Sequence, residues 1–331
     1  MTPEIPATPS AIPTLAQTAD ALCELDRDAD VETVTMSTGE RVATFAAVVL
    51  PVVGLVAAMI LAWGGGFRMI DLGLFLAFYL ISGLGITIGY HRLFTHRSFE
   101  APAWVRWMWA VAGSMAAEGS VIDWVGMHRC HHQHSDDHHD PHSPHQHGSG
   151  LKGLVRGFWH AHTGWMFKPD PVNLERYVVD FKDDKVVQAV SRQFGLWFLA
   201  GLIIPTVIGG LWDMSWKGAL LGFLWGGAVR VLWVHHVTWS INSVCHIWGA
   251  RPYKSHDESR NNVVMGVLAF GEGWHNNHHA FPASARHGLA WWQFDSSYLI
   301  IRLMEKLGMA SKVRVPDAVR MQAKLRESSK A

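Results

Sequence analysis

The chain has 331 residues, a formal net charge of zero and only 17% charged residues, fewer than the roughly 25% typical of a soluble domain. Apolar residues make up 49% of the sequence and 17 residues are tryptophan, a composition typical of a membrane protein with a polar part attached. The lack of net positive charge gives no indication of nucleic-acid binding. The three cysteines form no CxxC pair and no disulfide framework, which fits a reducing compartment.

The first 40 residues are rich in Thr, Ala, Pro and acidic residues and contain no long apolar run. This composition predicts a disordered N-terminal tail, and it differs from a signal peptide because no apolar core follows a basic start. We assign residues 41–310 to one membrane domain and residues 311–331 to a C-terminal tail.

Four apolar runs with almost no charge predict four transmembrane helices, each near the roughly 20 residues that a helix needs to cross a bilayer. Their approximate bounds are 42–66, 70–90, 194–212 and 218–240. The short turns near Arg68 and Lys217 make them two helical hairpins. Residues 101–117 are apolar but contain Arg106, so we expect an interfacial or re-entrant helix there rather than a fifth span.

Each predicted hairpin returns to its starting side, so the histidine-rich segments 91–193 and 246–331 must lie on one side of the membrane. Basic residues favour the cytoplasmic side, and these segments carry many whereas each short turn carries one. The predicted fold class is an all-α integral membrane protein of the cell membrane. Its four transmembrane helices would carry a cytosolic helical cap that holds a di-metal site, with both termini in the cytoplasm.

Histidines are the main chemical signal, and nine of the twenty residues in HRCHHQHSDDHHDPHSPHQH at 128–147 are histidine. Four groups stand out: HRLFTH at 91–96, HRCHH at 128–132, NSVCH at 242–246 and HNNHH at 275–279. Positions i, i+3 and i+4 share one face of a helix, so the second and fourth groups each present three imidazoles together. His91 and His96 are five positions apart and would converge only if the helix ends or loosens between them.

The histidines of these groups exceed the needs of one metal ion, and two metals with four or five nitrogen ligands each would use them all. Imidazole suits iron, zinc, copper and nickel. Carboxylate-bridged di-iron bundles carry a Glu-x-x-His pattern on each of two helices, whereas this sequence has it once, at Glu272–His275. Ligating imidazoles need acceptors for their second nitrogen, for which Asp123, Asp136, Asp140 and Glu272 are unranked candidates. The remaining histidines are interpreted as ordinary surface, core or loop residues, including His134, His138, His139, His145, His147, His256 and His287.

The histidine groups resemble the three histidine boxes of membrane fatty acid desaturases, HxxxxH, HRxHH and HxxHH. NSVCH resembles the NSxxH element of the Δ9 acyl-CoA (stearoyl-CoA) desaturase branch. The likeness extends to DPHSP at 140–144, HTGW at 162–165 and GEGWHNNHHAFP at 271–282, the last being close to the bacterial form. The resemblance covers about residues 70–300.

The resemblance implies two iron ions, with Asn242 holding a water on one of them. The implied reaction inserts a cis double bond, at Δ9, into a long-chain saturated acyl group and consumes O2 and two electrons. The sequence contains no cytochrome-b5-like or flavin domain, so the electron donor would be a separate protein of the ferredoxin or flavin reductase type. The implied iron ligands are His91, His96, His128, His131, His132, His246, His275, His278 and His279.

The same resemblance implies that Trp124, Thr238 and Trp239 shape the bend of a substrate tunnel, although tryptophan is also common at membrane interfaces. The chain departs from the animal pattern, with Glu118 in place of Gln, Gly126 in place of Arg, and Lys168 followed by Pro169 in place of a basic pair. The missing basic residues help hold coenzyme A, so the carrier is either acyl-CoA or a membrane acyl-lipid. We retain Glu118 and Lys168 as candidate substrate-binding residues.

Two alternative functions share these features. One is an alkyl-chain hydroxylase on the same di-iron scaffold, which differs from a desaturase in substrate placement. The other is a membrane metal-binding protein or transporter without enzymatic activity. Transport would require ligands within the spans. The apolar stretches 42–67, 72–90, 194–212 and 218–234 contain no histidine, and His235 and His236 come closest, at the end of the fourth, which favours the enzyme.

Overall fold

The computed structural model describes residues 36–168 and 174–326. Within these residues there is no β-strand, only isolated bridges such as Glu100 with Ser311. Short 3₁₀ segments at Gly164–Phe167 and Leu174–Phe181 accompany twelve helices. These helices are α1 Thr38–Gly64, α2 Met69–Thr95, α3 Ala103–Ser114, α4 Val121–His134, α5 Gly150–His162, α6 Lys185–Arg192, α7 Phe194–Asp213, α8 Trp216–Ile247, α9 Val263–Leu268, α10 His275–Ala280, α11 Ser296–Lys306 and α12 Ala318–Lys324.

Helices α1, α2, α7 and α8 are long and apolar enough to cross a membrane, which confirms the four predicted spans. Helices α2 and α8 continue past their predicted ends, to Thr95 and Ile247, and so carry two of the histidine motifs on the spans themselves. Helix α3 has 12 residues, about 18 Å at 1.5 Å per residue. It is too short for the roughly 30 Å of a bilayer core, in line with the prediction for residues 101–117.

The two predicted tails fall partly on described residues. Most of the predicted N-terminal tail, residues 1–35, lies outside the described residues, and α1 already begins at Thr38. Ser37 caps this helix, since its hydroxyl accepts from Glu40 N (3.2 Å) while its own N–H donates to the Glu40 carboxylate (2.7 Å). Residues 311–326 of the predicted C-terminal tail are attached to the domain, because Ser311 N donates to Glu100 O (2.8 Å) and Arg326 N to Pro252 O (2.9 Å).

The hairpins pack through small residues, which let membrane helices approach closely. A Cβ atom at Gly209 of α7 would lie only 2.5 Å from the Gly218 carbonyl of α8. At this same end of the spans, Arg68 forms ion pairs with Asp71 of its own hairpin and with Asp213 of the other. The two hairpins are thus joined at the end that lies opposite the histidines.

The helices outside the four spans, α3–α6 and α9–α12, form the cap. At the other end of the spans, the last part of α2 is enclosed by the cap. Every residue of Gly85–Thr95 is buried, and Tyr90 donates to or accepts from the Ser114 hydroxyl at the end of α3 (2.8 Å). Phe94, Val105 and Ile301 belong to the same apolar core. The ends of α2 and α8 meet α4 and α10 here, so the two histidine-rich segments lie on one side, as the hairpin argument predicts.

Candidate metal centre

The wide winding of α2 brings its two histidines together. Gly85–Thr95 is π-helical, and His96 N donates to His91 O (3.1 Å), five residues earlier. In an ideal α-helix with 3.6 residues per turn, five residues would leave these side chains about 140° apart. Here the ring centroids are 4.7 Å apart. The helix therefore loosens between His91 and His96, as their spacing requires.

One group of five histidines forms where α2 meets α4 and α10. The Nε2 atoms of His91 and His278 are 3.1 Å apart, as are those of His128 and His132. One ring nitrogen from each member lies within 4.8 Å of those of the others. The members are His91, His96, His128, His132 and His278.

A second group of four histidines forms beside it, where α8 meets α4 and α10. His246 and His275 have Nε2 atoms 3.1 Å apart, and all four residues are buried. The members are His131, His246, His275 and His279. The structure thus divides the nine predicted ligands into five and four, and the three-imidazole face of each helix is shared between both groups.

Each group is supported by buried carboxylates that bind the outer ring nitrogens. Asp140 accepts from His131 Nδ1 (3.0 Å) and Asp136 from His246 Nδ1 (2.9 Å). Glu272 pairs with His91 Nδ1 (2.7 Å). Such contacts fix the tautomer, so that the Nε2 lone pair is directed into the group. Three of the four candidate acceptors from the sequence therefore have the expected contact.

The fourth candidate, Asp123, is placed differently. Its side chain accepts from the Ser120 hydroxyl (2.7 Å) at the start of α4, and no contact with the nine histidines is recorded for it within the described residues. The acceptor that the sequence did not indicate is Asp257, which pairs with His279 Nδ1. Asp257 lies in a polar loop 22 residues before His279, a spacing that carries no helical or motif signal.

The electrostatics favour neutral imidazoles and charged carboxylates. Burial and the neighbouring histidines lower the pKa of His128 and His132 well below its usual value, as they do for His275. Burial alone would raise the pKa values of Asp136 and Asp257, but the facing histidines outweigh it and lower them. Neutral imidazoles have a free lone pair, and this is the form in which histidine binds metals.

Several nitrogens of the two groups have no hydrogen-bond partner in the described part of the chain. The buried Nε2 atoms of His96, His131 and His279 are of this kind, although leaving a buried polar atom unpaired costs about 1–3 kcal/mol. Other Nε2 atoms face one another, with no acid between them. Two metal ions would satisfy these lone pairs, and an all-imidazole donor set suits first-row transition metals.

A further layer surrounds the first group, and it contains residues that the sequence left as ordinary. His287 is fully buried, as a core residue would be, and its Nδ1 lies 3.2 Å from Glu272. Arg92, also fully buried, donates to Asp295 (3.0 Å) and contacts both His287 and Glu272. Arg92 and His287 therefore hold the Glu272 carboxylate, which in turn holds His91. The HxxxxH motif includes Arg92 but gives no indication of this role.

A cavity of about 500 Å³ opens directly beside the histidines. Its lining includes apolar residues of α1 and α2 such as Val48 and Ile86 as well as His91, His128 and His275. Five of the residues predicted to bind substrate or a water also line it: Glu118, Trp124, Thr238, Trp239 and Asn242. Lys168 does not line it and is exposed, and Pro169 lies outside the described residues.

The polar groups of the cavity lie at the junction of α4 and α8. Trp124 Nε1 donates to Glu118 Oε2 (3.1 Å), and its ring stacks on His128 with centroids 4.9 Å apart. Burial raises the pKa of Glu118 to about 7, although hydrogen bonds from Thr238 and Trp124 act in the opposite direction. The cavity thus has largely apolar walls, histidines at one side, and three acids in its lining, of which Glu118 has a raised pKa.

Comparison with known proteins agrees with this arrangement. The family model for fatty acid desaturases matches residues 69–309. The sn-1 stearoyl-lipid 9-desaturase of Anabaena variabilis is 39% identical over 244 residues, which cover 73% of this chain and 83% of that protein. The hex-5-enoyl-[acyl-carrier protein] acetylenase of Moorena producens is 41% identical over 280 residues, covering 83% of this chain and 87% of that protein.

A third relative extends the range of carriers. The acyl-CoA C20 Delta5-desaturase of Anemone leveillei is 38% identical over 244 residues, which cover 73% of this chain and 73% of that protein. The names of the three relatives specify a lipid, an acyl-carrier protein and coenzyme A. Similarity at this level therefore identifies the chemistry more firmly than the carrier or the position of attack.

Proposed function

The chain belongs to the fatty acid desaturase family, and we propose that it inserts a cis double bond at Δ9 into a long saturated acyl chain. The observation that carries this proposal is the apolar cavity whose wall includes members of both histidine groups. The reaction removes two hydrogens from adjacent methylenes, takes two electrons and two protons from outside, and reduces O2 to two waters.

The nine histidines would hold two iron ions, five nitrogens on one side and four on the other, with Asn242 holding a water near one of them. Bound iron would supply the oxidising power for attack on an unactivated methylene. Asn242 lines the cavity and lies one helical turn before His246. The donor set of the two groups supports this proposal, since all nine residues offer imidazole nitrogen.

The residues of the cavity would select which methylenes react. A straight acyl chain has many equivalent methylenes, so regioselectivity requires a fixed depth and a bend. We assign that role to Glu118, Trp124, Thr238 and Trp239, which lie in the turn before α4, on α4 and on α8, and which line the same cavity. Trp124 couples this region to the centre because its ring stacks on His128.

A membrane lipid is the favoured carrier of the acyl chain. The chain lacks the paired basic residues that hold coenzyme A in the pattern it otherwise resembles, and a lipid 9-desaturase is among its relatives. Residues of the first span, including Val48, contribute to the cavity wall. Lys168 stays a candidate contact for the polar part of the carrier. The cap would lie in the cytoplasm of a cell-membrane protein, where a separate ferredoxin or flavin reductase type donor could reach it.

The first experiment expresses the full chain with a ferredoxin and ferredoxin reductase in a host without its own desaturase. Mass spectrometry then maps the double bonds in total fatty acids, lipid class by lipid class. New cis-Δ9 monoenes are expected from the parent, and none above background from His278→Ala, which removes one nitrogen of the five-histidine group. His256→Ala, at an exposed histidine, is the matched control and should retain parental product.

Other products would redirect the proposal. Hydroxylated chains would identify an alkyl hydroxylase instead. Parent-level product from His278→Ala would contradict the assigned centre. No product from a parent that retains iron and has a working donor would remove the enzyme proposal in favour of metal binding.

The acetylenase relative supports one second candidate, the removal of two hydrogens from an existing double bond. The same host supplied with monoenoic acids distinguishes the two reactions. Acetylenic products that exceed the monoenes formed from saturated chains would favour this candidate.

A further inference from the structure

Helix α8 carries a fully buried arginine inside its membrane-spanning part. Arg230 is 0% exposed, and it has no carboxylate partner among residues 36–168 and 174–326. Its guanidinium donates instead to backbone carbonyls: Nε to Gly226 (3.1 Å), Nη2 to Gly201 of α7 (2.7 Å) and Nη1 to Met115. A charged side chain in this position is costly and usually serves a function.

His235, five residues further along α8, is also buried and makes a similar contact. Its Nε2 donates to the carbonyls of Ala116 (3.0 Å) and Ala117 (3.1 Å). Three successive carbonyls directly after α3, at residues 115–117, therefore accept hydrogen bonds from Arg230 and His235 of α8. The ring of His235 also stacks on Trp239, with centroids 4.8 Å apart, and Trp239 lines the cavity.

The segment held in this way is a tight reversal of the chain. Ala117 has φ of 65° and Gly119 has φ of 105°, values in the left-handed region that are costly for a residue such as alanine. Glu118 lies between them, and its carboxyl bonds to Trp124 and to Thr238 of α8. The turn formed by residues 115–119 is thus attached to α8 at its beginning and again at Glu118, which lines the cavity.

Helix α8 connects this turn to the histidines. Thr238 precedes His246 by eight residues, about 12 Å along a helix axis, and both lie on one continuous helix. The same helix therefore sets the position of the turn and of one candidate metal ligand. Gly201 allows the close approach of α7, since a Cβ atom there would lie 3.1 Å from Met115 Cβ and 3.2 Å from Arg230 Nη2.

We propose that Arg230 and His235 are positioning residues for the reaction: they fasten the turn 115–119 to α8 and so set the depth at which the acyl chain bends relative to the metal centre. The effect on the bound acyl chain rests on the proposed function. The attachment of the turn to α8 does not, because it is a property of the folded chain. Neither residue touches the histidine groups, so both act on the position of the substrate and leave metal binding unchanged.

The test compares Arg230→Gln, Arg230→Lys and His235→Phe with the parent as purified full-length protein. Gln removes the guanidinium fork, Lys keeps the charge without the fork, and Phe keeps a ring against Trp239 without the donor. Ser240→Ala is the control, because Ser240 lies on the same helix and donates only to its own helix, at His236 O. Hydrogen exchange followed by mass spectrometry measures opening of peptides that cover residues 114–120, independently of activity.

Arg230→Gln should accelerate exchange in residues 114–120 by about tenfold or more, as expected when local opening becomes easier. Peptides from 128–134 and the iron content should stay as in the parent. In the desaturase-deficient host, the products should spread to neighbouring double-bond positions or chain lengths, because a small displacement of a bound chain changes rates by up to about 10²-fold. His235→Phe should act in the same direction and Arg230→Lys should be intermediate.

Unchanged exchange in Arg230→Gln and His235→Phe would overturn the fastening. Faster exchange with the parental distribution of double-bond positions and chain lengths would overturn its role in setting depth, even if total product falls. Should Arg230→Gln fail to accumulate, Arg230→Lys and His235→Phe decide by the same measurements. A parent that forms no oxidised acyl product would count against the proposed function, while the exchange measurement would still decide whether the turn is fastened.

Discussion

The outer spans α1 and α7 differ from the inner spans α2 and α8 in how much of each is enclosed by protein. Of an 18-residue apolar segment in each span, only 17% is buried in α1 and in α7, against 50% in α2 and 61% in α8. Helix α1, like the inner spans, has a π-helical stretch, at Ala62–Gly66, and contributes Val48 to the cavity wall. The inner spans differ in carrying His91 and His246 of the two histidine groups near their ends.

This difference separates two physical tasks within one bundle. A lipid-facing span only has to be long and apolar, and many side chains satisfy that condition. An inner span has to place particular side chains at a particular height and angle, so its sequence is constrained by packing and by polar contacts. The stability of the bundle and the geometry of the centre should therefore respond to different substitutions.

The largest expected effect is on metal binding, and it concerns the carboxylates that contact the outer nitrogens of the histidines. Asp257→Asn should weaken metal binding by about 10–100-fold, because outer carboxylates that orient a ligating histidine contribute that much. Competition with a chelator, followed by iron analysis of the full-length chain, measures the loss. Asp317→Asn, at an exposed acid that begins α12, should leave metal binding unchanged. Equal affinities in Asp257→Asn and the parent would mean that this carboxylate is dispensable.

A second comparison contrasts packing in an inner and an outer span. Ile88 of α2 is 0% exposed and Ile203 of α7 is 55% exposed. Ile88→Ala should lower the free energy of unfolding by about 2 kcal/mol. This value is at the low end for such truncations, because lipid rather than water solvates the separated helices. Ile203→Ala should change it by less than about 0.5 kcal/mol. Unfolding in mild detergent with increasing denaturant compares the two, and equal losses would remove the distinction between the spans.

The smallest expected effect concerns Glu118 and depends on pH. Burial raises the pKa of Glu118 to about 7 from its usual value near 4.5, so its favourable contribution is complete below pH 4.5 and is lost as the pH rises through 7. Glu118→Gln should therefore raise the melting temperature of the protein by about 2–4 °C at pH 8 and by less at pH 5.5. Thermal unfolding at the two pH values measures the difference, and a gain independent of pH would contradict the burial of an ionisable group.

Hydropathy was sufficient to predict the spans because apolar length is a local property. The ends of α2 and α8 extend further than predicted, since burial within the cap compensates for their polar residues. The spacing of HRCHH and HNNHH predicted which imidazoles share a helix face. It could not predict that each face would be divided between two groups, because the partners come from other helices, from 29 residues away (His246 and His275) to 187 residues away (His91 and His278) in the chain.

The carboxylates that contact the histidines were only partly predictable from the sequence. Asp136 and Asp140 follow the second motif closely, and their proximity to it was a usable signal. Asp257 has no such relation to His279. Asp123 has the right type and place in the sequence but accepts from Ser120, the N-cap residue of α4, instead. The contacts of Arg230 likewise depend on a backbone turn whose φ values no sequence motif predicts. Contacts of this kind depend on tertiary packing, which composition and periodicity do not describe.

The π-helical stretch at Gly85–Thr95 also bears on how α2 tolerates a change in length. Each residue of an α-helix advances the azimuth by about 100°, so deleting one residue before His91 would ordinarily rotate its imidazole away from His278. A π-helical stretch has more residues per turn than an α-helix. After a deletion it can tighten to the α form, and the side chains that follow it then keep their directions around the helix axis. Insertions and deletions of a single residue should therefore be found, if anywhere in this span, in the part of the loosened stretch that precedes His91, where a change of winding lets the histidines keep their orientation.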